Sequence, residues 1–319
     1  GMVQVLGRLA LSLGIFSVAG ISGLLAQAYS TATVYLIGLA VPLVSVTGAA
    51  LVHLETSEQR PIDWTILGGG LVFGAVVSLL ALSGLPFSQE IVFAISMTVI
   101  IAMLVRVTRE VDEATRQRIF FATVIIFAFR ATPTVGEGYR WFSIDVLGFD
   151  EAFYGVLQQV GAALALAAAW FLSDLITRKP VATVLLWLTV LGTLLSLPDL
   201  LLVFQLHHVT ERLFGIGARS IALIDTAAQS PFAQLGMIPL LTLIAIYAPA
   251  GHRAIWFALM ASLMNLALVA GSLQTKYLNM IFPVARGEYG NLPALLITAL
   301  SLAFLIPMAA ILLFGRRIR

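Results

Sequence analysis

The sequence predicts an all-α polytopic membrane protein, and its composition and patterning carry that prediction. Of the 319 residues, 60% are hydrophobic and only 11% are charged, with a mean hydropathy of +1.00. Soluble domains carry about 25% charged residues, so this chain has too few to cover the surface of a soluble globule. These values exclude an ordinary soluble enzyme, a disordered chain and a nucleic-acid binder. The net charge of +2 indicates no polyanionic partner.

The apolar residues are gathered into about ten segments that are long enough to cross a bilayer. A spanning helix needs roughly 20 apolar residues, and none of the segments alternates with a period of two. Because backbone groups in lipid must be hydrogen-bonded internally, we expect helices. The predicted spans are residues 3–27, 32–54, 65–85, 90–107, 118–135, 152–175, 181–204, 219–247, 253–275 and 291–315.

The distribution of Lys and Arg predicts the orientation, since these residues concentrate in short cytoplasmic loops. If Arg316, Arg317 and Arg319 are cytoplasmic, ten crossings place the N-terminus in the cytoplasm as well. Twelve of the 18 Lys and Arg residues then lie inside and five lie outside, with Arg130 within a segment. The short loops and the absence of Cys suit a bacterial inner membrane with both termini cytoplasmic.

A mixed-charge stretch at residues 106–118 is the longest such stretch away from the termini. It can be a solvated loop between two helices, or a central cytoplasmic linker between two helix bundles. On the second interpretation, residues 1–107 form a partial bundle of four helices and residues 118–319 form a bundle of six, with residues 108–117 as the linker. We then expect about two helices to be missing at the N-terminus, unless the chain is a naturally short homologue.

Four prolines within the segments predict kinks, because Pro removes a backbone donor. The predicted segment 219–247 is 29 residues long, so it must tilt or break, and Pro231 and Pro239 are the predicted break points. Pro198 and Pro307 are expected to kink their own segments. Helix packing is the plainer explanation of these prolines, and a functional break is the alternative.

Two separated motifs resemble one transporter family. Residues 127–155 read FAFRATPTVGEGYRWFSIDVLGFDEAFYG, and residues 219–265 read RSIALIDTAAQSPFAQLGMIPLLTLIAIYAPAGHRAIWFALMASLMN. Both are similar to the folate–biopterin transporter family of the major facilitator superfamily, and the resemblance covers about residues 118–305. It implies a two-bundle, major-facilitator-like architecture. The first bundle would be incomplete, because the superfamily's first helices and its signature loop are absent here.

Arg130 is one of three ionisable residues that stand out within the predicted spans. Such a residue in hydrocarbon costs about 2.5–3.5 kcal/mol, so it needs a partner or a function. The long side chain of Arg130 can reach the outer interface. Alternatively, its guanidinium can bind a substrate carboxylate through two parallel hydrogen bonds. The sequence leaves both options open.

Asp225 has Gln229 one turn further along the same helix face, at i+4. This pair on a Pro-containing segment is a candidate for substrate binding, and Asp225 is a candidate for proton coupling. A hydrogen bond to a neighbouring helix is the alternative. Asp199 is expected to reach water at the interface.

Asp145 follows Trp141 in a predicted loop, where we expect it to be solvated or paired with Arg140 or Arg130. Ser262 and Asn265 lie at i and i+3 on the ninth span, where they could bond a neighbouring helix or line a polar cavity. There is no Cys, and the four His form no H-E-x-x-H motif, so we expect no metal site and no cofactor.

The resemblance implies a secondary active transporter for folate- or pterin-like molecules that works by alternating access. Arg130 would meet an anionic group, Asp225 and Gln229 would bind the ring or carry a coupled proton, and Trp141 or Phe232 would stack on the ring. Asn265 would line the same polar cavity. The partners would be a small organic substrate and the lipid bilayer, without nucleic acid.

Two alternatives to transport remain. The chain could be a transport-inactive or scaffold membrane protein, since N-terminal helices of the family pattern are missing. It could also be a membrane-embedded enzyme, but the spans offer too few convergent acids, bases or metal ligands for one. We therefore expect no enzymatic activity.

Overall fold

A computed structural model describes most of the chain, and its regular elements are helices. In the described residues one isolated β-bridge joins Ala285 to Glu288. The described residues are 6–7, 10–11, 13–18, 20–21, 25, 29–51, 64–109, 111–171, 179–249 and 253–318.

The helices of these residues are numbered in chain order. They are α1 (Thr31–Gly38), α2 (Ala40–Leu51), α3 (Trp64–Leu82), α4 (Ser88–Val107), α5 (Glu113–Arg130), α6 (Glu137–Asp145), α7 (Glu151–Phe171), α8 (Val181–Leu195), α9 (Leu197–Val203), α10 (His207–Phe214), α11 (Ala218–Leu235), α12 (Met237–Ile246), α13 (Arg253–Ile281) and α14 (Leu292–Phe314).

Five helical stretches in the described part of the chain are long and apolar enough to cross a membrane. Two shorter apolar helices lie at 32–44 and 67–82. The chain is thus an all-α polytopic integral membrane protein, as the sequence predicts. Parts of the predicted spans 3–27, 32–54 and 152–175 lie outside the described residues. The five stretches are Ser88–Val107, Val181–Val203, Ala218–Ile246, Arg253–Ile281 and Leu292–Phe314.

The predicted break points in segment 219–247 are wrong. Pro231 lies inside α11, and the helix is interrupted at Gly236, between Leu235 and Met237. Pro239 explains the position of the break, because its ring clashes with the carbonyl of the residue four positions earlier, which is Leu235. Pro239 itself lies in the first turn of α12, where its missing N–H would have no partner within the helix.

The predicted span 118–135 also differs from the structure. Helix α5 begins at Glu113, where Asp112 Oδ2 accepts a 2.9 Å hydrogen bond from the backbone N–H of Thr115. It ends at Arg130, five residues before the predicted end. The cause is Pro133, which disfavours helical backbone at the residue before it. The chain then continues in non-helical backbone to the short helix α6, which the sequence analysis did not predict.

The chain divides into two compact units, residues 16–92 and a larger unit that includes residues 93–319. In the larger unit, α7 packs along α11, and α5 packs against α13 and α14. Its core is apolar and includes the fully buried Trp256, whose Nε1 donates a 2.8 Å hydrogen bond to the carbonyl of Ile244. The bundle boundary expected at residues 108–117 stays a prediction.

Candidate functional site

A cavity of about 530 Å³ lies among the spanning helices of the larger unit. Helices α5, α8, α11, α12, α13 and α14 all contribute to its wall. Most of the wall is apolar, and Phe232 is its aromatic residue on α11. This mixture of an apolar wall and a few convergent polar groups is typical of a small-molecule site. The polar residues of the wall are Arg130, Thr132, Thr189, Thr193, Ser196, Gln229 and Ser230.

A second cavity, of about 660 Å³, lies beside the first and is lined by parts of α12 and α13. Asn265 lies on its wall, together with Phe257 and Met264. Arg130 lines both cavities. We call them the Gln229 cavity and the Asn265 cavity. One cationic side chain therefore faces two adjoining spaces, each large enough for an organic molecule.

Arg130 is half-buried and touches two further helices. Its Nε donates a 3.4 Å hydrogen bond to the carbonyl of Met264 on α13, and its Nη1 lies against the sulfur of Met237 on α12. Arg130 therefore faces both cavities, and the binding of a substrate carboxylate by its guanidinium stays a prediction. Its last-turn position in α5 also suits the helix dipole, whose negative end stabilises a cation.

Asp225 is joined to the Gln229 cavity through one hydrogen bond. Gln229 Nε2 donates to Asp225 Oδ1 at 2.6 Å and to the carbonyl of Leu195 at 3.3 Å. The i+4 contact is the one that the sequence spacing predicts, while the bond to Leu195 fastens the pair to α8. Gln229 lies on the cavity wall, and Asp225 is not one of the wall residues.

Asp199 is a residue whose surroundings the sequence analysis misjudged. It does not simply reach water, because the hydroxyl of Tyr139 donates a 2.7 Å hydrogen bond to its Oδ1. Burial, and next the negative charge of Asp199, raise the pKa of Tyr139. Asp199 also lies within electrostatic range of Asp225. The sequence analysis missed this contact because it did not predict α6, the helix from which Tyr139 reaches Asp199.

Trp141 is not brought to either cavity, although it lies on the same short helix as Tyr139. The structure therefore brings Arg130, Gln229 and Phe232 to one cavity. It places Asn265 on the adjoining one and Asp225 one hydrogen bond away.

Asp145 lies at the end of α6 and is paired, but not with the partners expected from sequence. Arg286, from the loop between α13 and α14, donates to both carboxylate oxygens at 3.0 and 3.2 Å, and the hydroxyl of Tyr289 donates as well. The hydrogen bonds from Arg286 and then Tyr289 hold the pKa of Asp145 below its usual range. Nearby, Arg219 forms a 3.1 Å ion pair with Asp150 and lies over the ring of Phe153. These contacts tie the loops of one end of the bundle together.

Within the described ranges, no three His, Asp or Glu side chains are grouped to hold a metal ion. The adjacent His207 and His208 have ring centroids 4.1 Å apart. His207 is buried, and its Nδ1 has no hydrogen-bond partner among the described residues.

Comparison with known proteins identifies relatives of this chain. It is 28% identical over 281 residues to the "Folate-biopterin transporter" of Synechocystis sp., an alignment that covers 80% of this chain and 54% of the relative. It is 27% identical over 161 residues to the "Probable folate-biopterin transporter 2" of Arabidopsis thaliana, covering 50% of this chain and 32% of that protein. The chain thus spans about half the length of the first relative and a third of the second. No solved structure matches it.

The family assignment rests on the whole sequence. The sequence model of the BT1 family matches residues 2–319. The resemblance to folate–biopterin transporters that the two motifs indicate is therefore confirmed, and this chain belongs to the BT1 family.

Proposed function

We propose that this chain is a secondary active transporter that carries folate- or pterin-like organic molecules across a membrane. The names of its two relatives supply the substrate class. The observation that carries the proposal is that Arg130, Gln229 and Phe232 share one cavity among membrane-spanning helices. Transporters bind their cargo in such a place, between helices that are interrupted near the middle of the membrane. The break at Gly236, on the wall of the same cavity, fits that pattern.

The wall of the Gln229 cavity has the chemistry that such cargo needs. A pterin is a flat ring with hydrogen-bond donors and acceptors along its edge, and a folate adds a carboxylate tail. The guanidinium of Arg130 binds a carboxylate in a planar, two-pronged manner. Gln229 and Ser230 can bond the ring edge, and the ring of Phe232 offers an apolar face for stacking.

The residues outside this cavity have secondary roles in the proposal. Asn265 shares the adjoining cavity with Arg130, so it would contact the part of the cargo on the other side of the guanidinium. Trp141 would meet the cargo only in another state of the transport cycle.

Proton coupling through Asp225 is the finer part of the proposal. Gln229 bonds Asp225 on one side and faces the cavity on the other, so protonation of the carboxyl would alter the hydrogen bonds that Gln229 offers to cargo. The bundles 1–107 and 118–319, joined by residues 108–117, would alternate around the site. Both termini would lie in the cytoplasm, an orientation that the Lys and Arg distribution supports, and the membrane would be a bacterial inner membrane.

Uptake into sealed vesicles tests the coupling. Vesicles that contain the full chain should accumulate labelled folic acid when a proton gradient is imposed. The Asp225→Asn variant should lose this accumulation but keep the exchange of internal for external folic acid, because exchange needs no net proton movement. Glu288→Gln, an exposed carboxylate in the loop before α14, is the matched control. Undiminished gradient-driven uptake by Asp225→Asn would refute proton coupling through this residue.

Binding to the purified chain tests the anion site. Arg130→Gln should weaken the binding of folic acid by roughly tenfold or more, the loss expected for charge-assisted hydrogen bonds. Biopterin, which has no carboxylate, should lose much less. Arg253→Gln, at the exposed first position of α13, is the control for loss of one positive charge. Equal affinity of Arg130→Gln and the unchanged chain for folic acid would discard this site.

A further inference from the structure

The backbone that follows Arg130 is held by a second element of the bundle. Residues 131–136, which we call the strap, link Arg130 to α6 and are not helical. Pro133 is buried within this stretch and prevents it from continuing α5. Non-helical backbone among spanning helices must find hydrogen-bond partners within the protein, because lipid offers none.

Helix α13 provides those partners through one polar face. Gln274 Nε2 donates to the carbonyl of Ala131 at 2.8 Å, and Thr275 Oγ1 accepts from the backbone N–H of Thr134 at 2.9 Å. Asn279 Nδ2 donates to the carbonyl of Val135 at 3.3 Å. The side chains lie at i, i+1 and i+5 on α13, so they follow the strap along the helix. We call Gly271, Gln274, Thr275 and Asn279 the docking stripe.

Gly271 allows the two backbones to meet. A Cβ atom at this position would lie 2.6 Å from the carbonyl oxygen of Thr132, which is closer than real Cβ contacts. Any larger residue would push the strap away from the helix. At the far end of the strap, Gly136 has φ +75°, and a Cβ there would lie 3.3 Å from a methyl carbon of Thr275. The backbone of the strap and the surface of α13 are therefore in close contact at both glycines, and this contact fixes the position of the strap on the helix.

Helix α13 also contacts the guanidinium group of Arg130. Nε of Arg130 donates to the carbonyl of Met264, seven residues before Gly271 on α13. Arg130 is thus held on both sides by α13, at its guanidinium through Met264 and at the following backbone through Gln274 and Thr275.

We propose that the docking stripe is the positioning device for Arg130, and that it sets the preference of the site for cargo with a carboxylate. This inference rests on the proposed function, in which Arg130 binds that carboxylate. Bidentate recognition requires the guanidinium to be held within about 0.5 Å and 10–20° of the productive geometry. Gln274, Thr275 and Asn279 line neither the Gln229 cavity nor the Asn265 cavity and would act through the strap, so they are positioning residues.

The test compares folic acid with biopterin, both binding to the purified full chain. Gln274→Leu and Thr275→Val should each weaken folic acid binding by about tenfold. This is the loss expected when a misplaced Arg130 guanidinium forms one charge-assisted hydrogen bond fewer with the carboxylate. Biopterin binding should change less than about threefold, because biopterin has no carboxylate for Arg130 to bind. Thr275→Ser keeps the accepting hydroxyl and should restore folic acid binding. A purely structural role for the stripe would weaken both ligands alike.

A matched control lies on the same helix. Ser272 is exposed and donates to the carbonyl of Leu268 in its own helix at 3.0 Å, so Ser272→Ala removes a hydroxyl from α13 without touching the strap. It should bind both ligands as the unchanged chain does. If Thr275→Val does not reach the membrane, Asn279→Ala, at the longer 3.3 Å contact, takes its place.

Strap docking can be measured separately, because the sequence contains no Cys. Ala131 is 3% exposed, so Ala131→Cys should react slowly with a maleimide in the otherwise unchanged chain. Adding Gln274→Leu should raise the labelling rate. Faster labelling with unchanged folic acid affinity would overturn the inference and leave the proposed function intact. Full affinity of Arg130→Gln for folic acid would overturn the proposed function, and this inference with it.

Discussion

The hydroxyl of Tyr139 donates a 2.7 Å hydrogen bond to Oδ1 of Asp199 and so joins the short helix α6 to α9. The two residues are 60 positions apart in the sequence. Asp199 is half-buried at the start of α9, where a carboxylate is also favoured by the positive end of the helix. The contact therefore fastens the short helix α6 to the candidate membrane span Val181–Val203, of which α9 is the last part.

Tyr139→Phe should destabilise the protein, because it leaves a partly buried carboxylate without its donor. A lost partner of this kind costs about 1–3 kcal/mol. The measurement is the midpoint of thermal unfolding in one detergent, compared with Tyr35→Phe, whose ring is 77% exposed. In an Asp199→Ala background, which has no side-chain acceptor for the hydroxyl, the same change should have a smaller effect. Equal effects in both backgrounds would show that the hydrogen bond is not the cause.

Gly271→Ala should also lower the unfolding midpoint. Its methyl group would lie 2.6 Å from the carbonyl oxygen of Thr132, and backbone cannot move aside as a side chain can. Overpacking of this kind costs about 1–3 kcal/mol. Gly155→Ala, in α7, is the control, since a Cβ there meets nothing within 4 Å. Retention of the unchanged midpoint by Gly271→Ala would mean that the strap and α13 are further apart than described.

Trp256→Phe should weaken the packing between α12 and α13. The indole is 1% exposed, and its Nε1 donates to the carbonyl of Ile244 at 2.8 Å. Phe fills most of the space but leaves that carbonyl without its donor, at a cost of about 1–3 kcal/mol. Thermal unfolding of Trp187→Phe provides the comparison, since Trp187 is 58% exposed on α8. An equal midpoint for the two variants would contradict the role of the indole N–H.

The Asp145–Arg286 ion pair should make stability depend on pH. Hydrogen bonds from Arg286 and Tyr289 lower the pKa of Asp145 in the folded state. A carboxyl whose folded pKa is lowered stabilises the protein above its unfolded pKa of about 3.9, and this stabilisation is lost as the pH falls through the folded pKa.

The unchanged chain should therefore unfold at a higher temperature than Asp145→Asn at pH 7, and the difference should shrink as the pH falls below about 4. Glu288→Gln, in the same loop as Arg286, should show no such convergence with pH. A midpoint difference that stays constant from pH 7 to pH 3 would rule out the ion pair as its source.

The sequence was most informative where an interaction is local. Gln229 follows Asp225 by four residues, so the helix period alone places them in contact, and the structure has that hydrogen bond. The predicted break in segment 219–247 was right in kind but wrong in position. Pro acts on the carbonyl four residues before it, so the helix ends at Leu235 and not at either proline.

The sequence by itself determined the all-α membrane class of this protein. Its shortage of charge and its long apolar segments indicate a membrane protein, and because these segments do not alternate with a period of two, helices are the way in which they satisfy their backbone in lipid. Only the tertiary structure decided what surrounds Arg130. The guanidinium contacts α12 and α13 more than 100 residues further along, and the strap after it is bonded to Gln274 and Thr275 across more than 140. Such pairings depend on which helix faces pack together, and no local period specifies that.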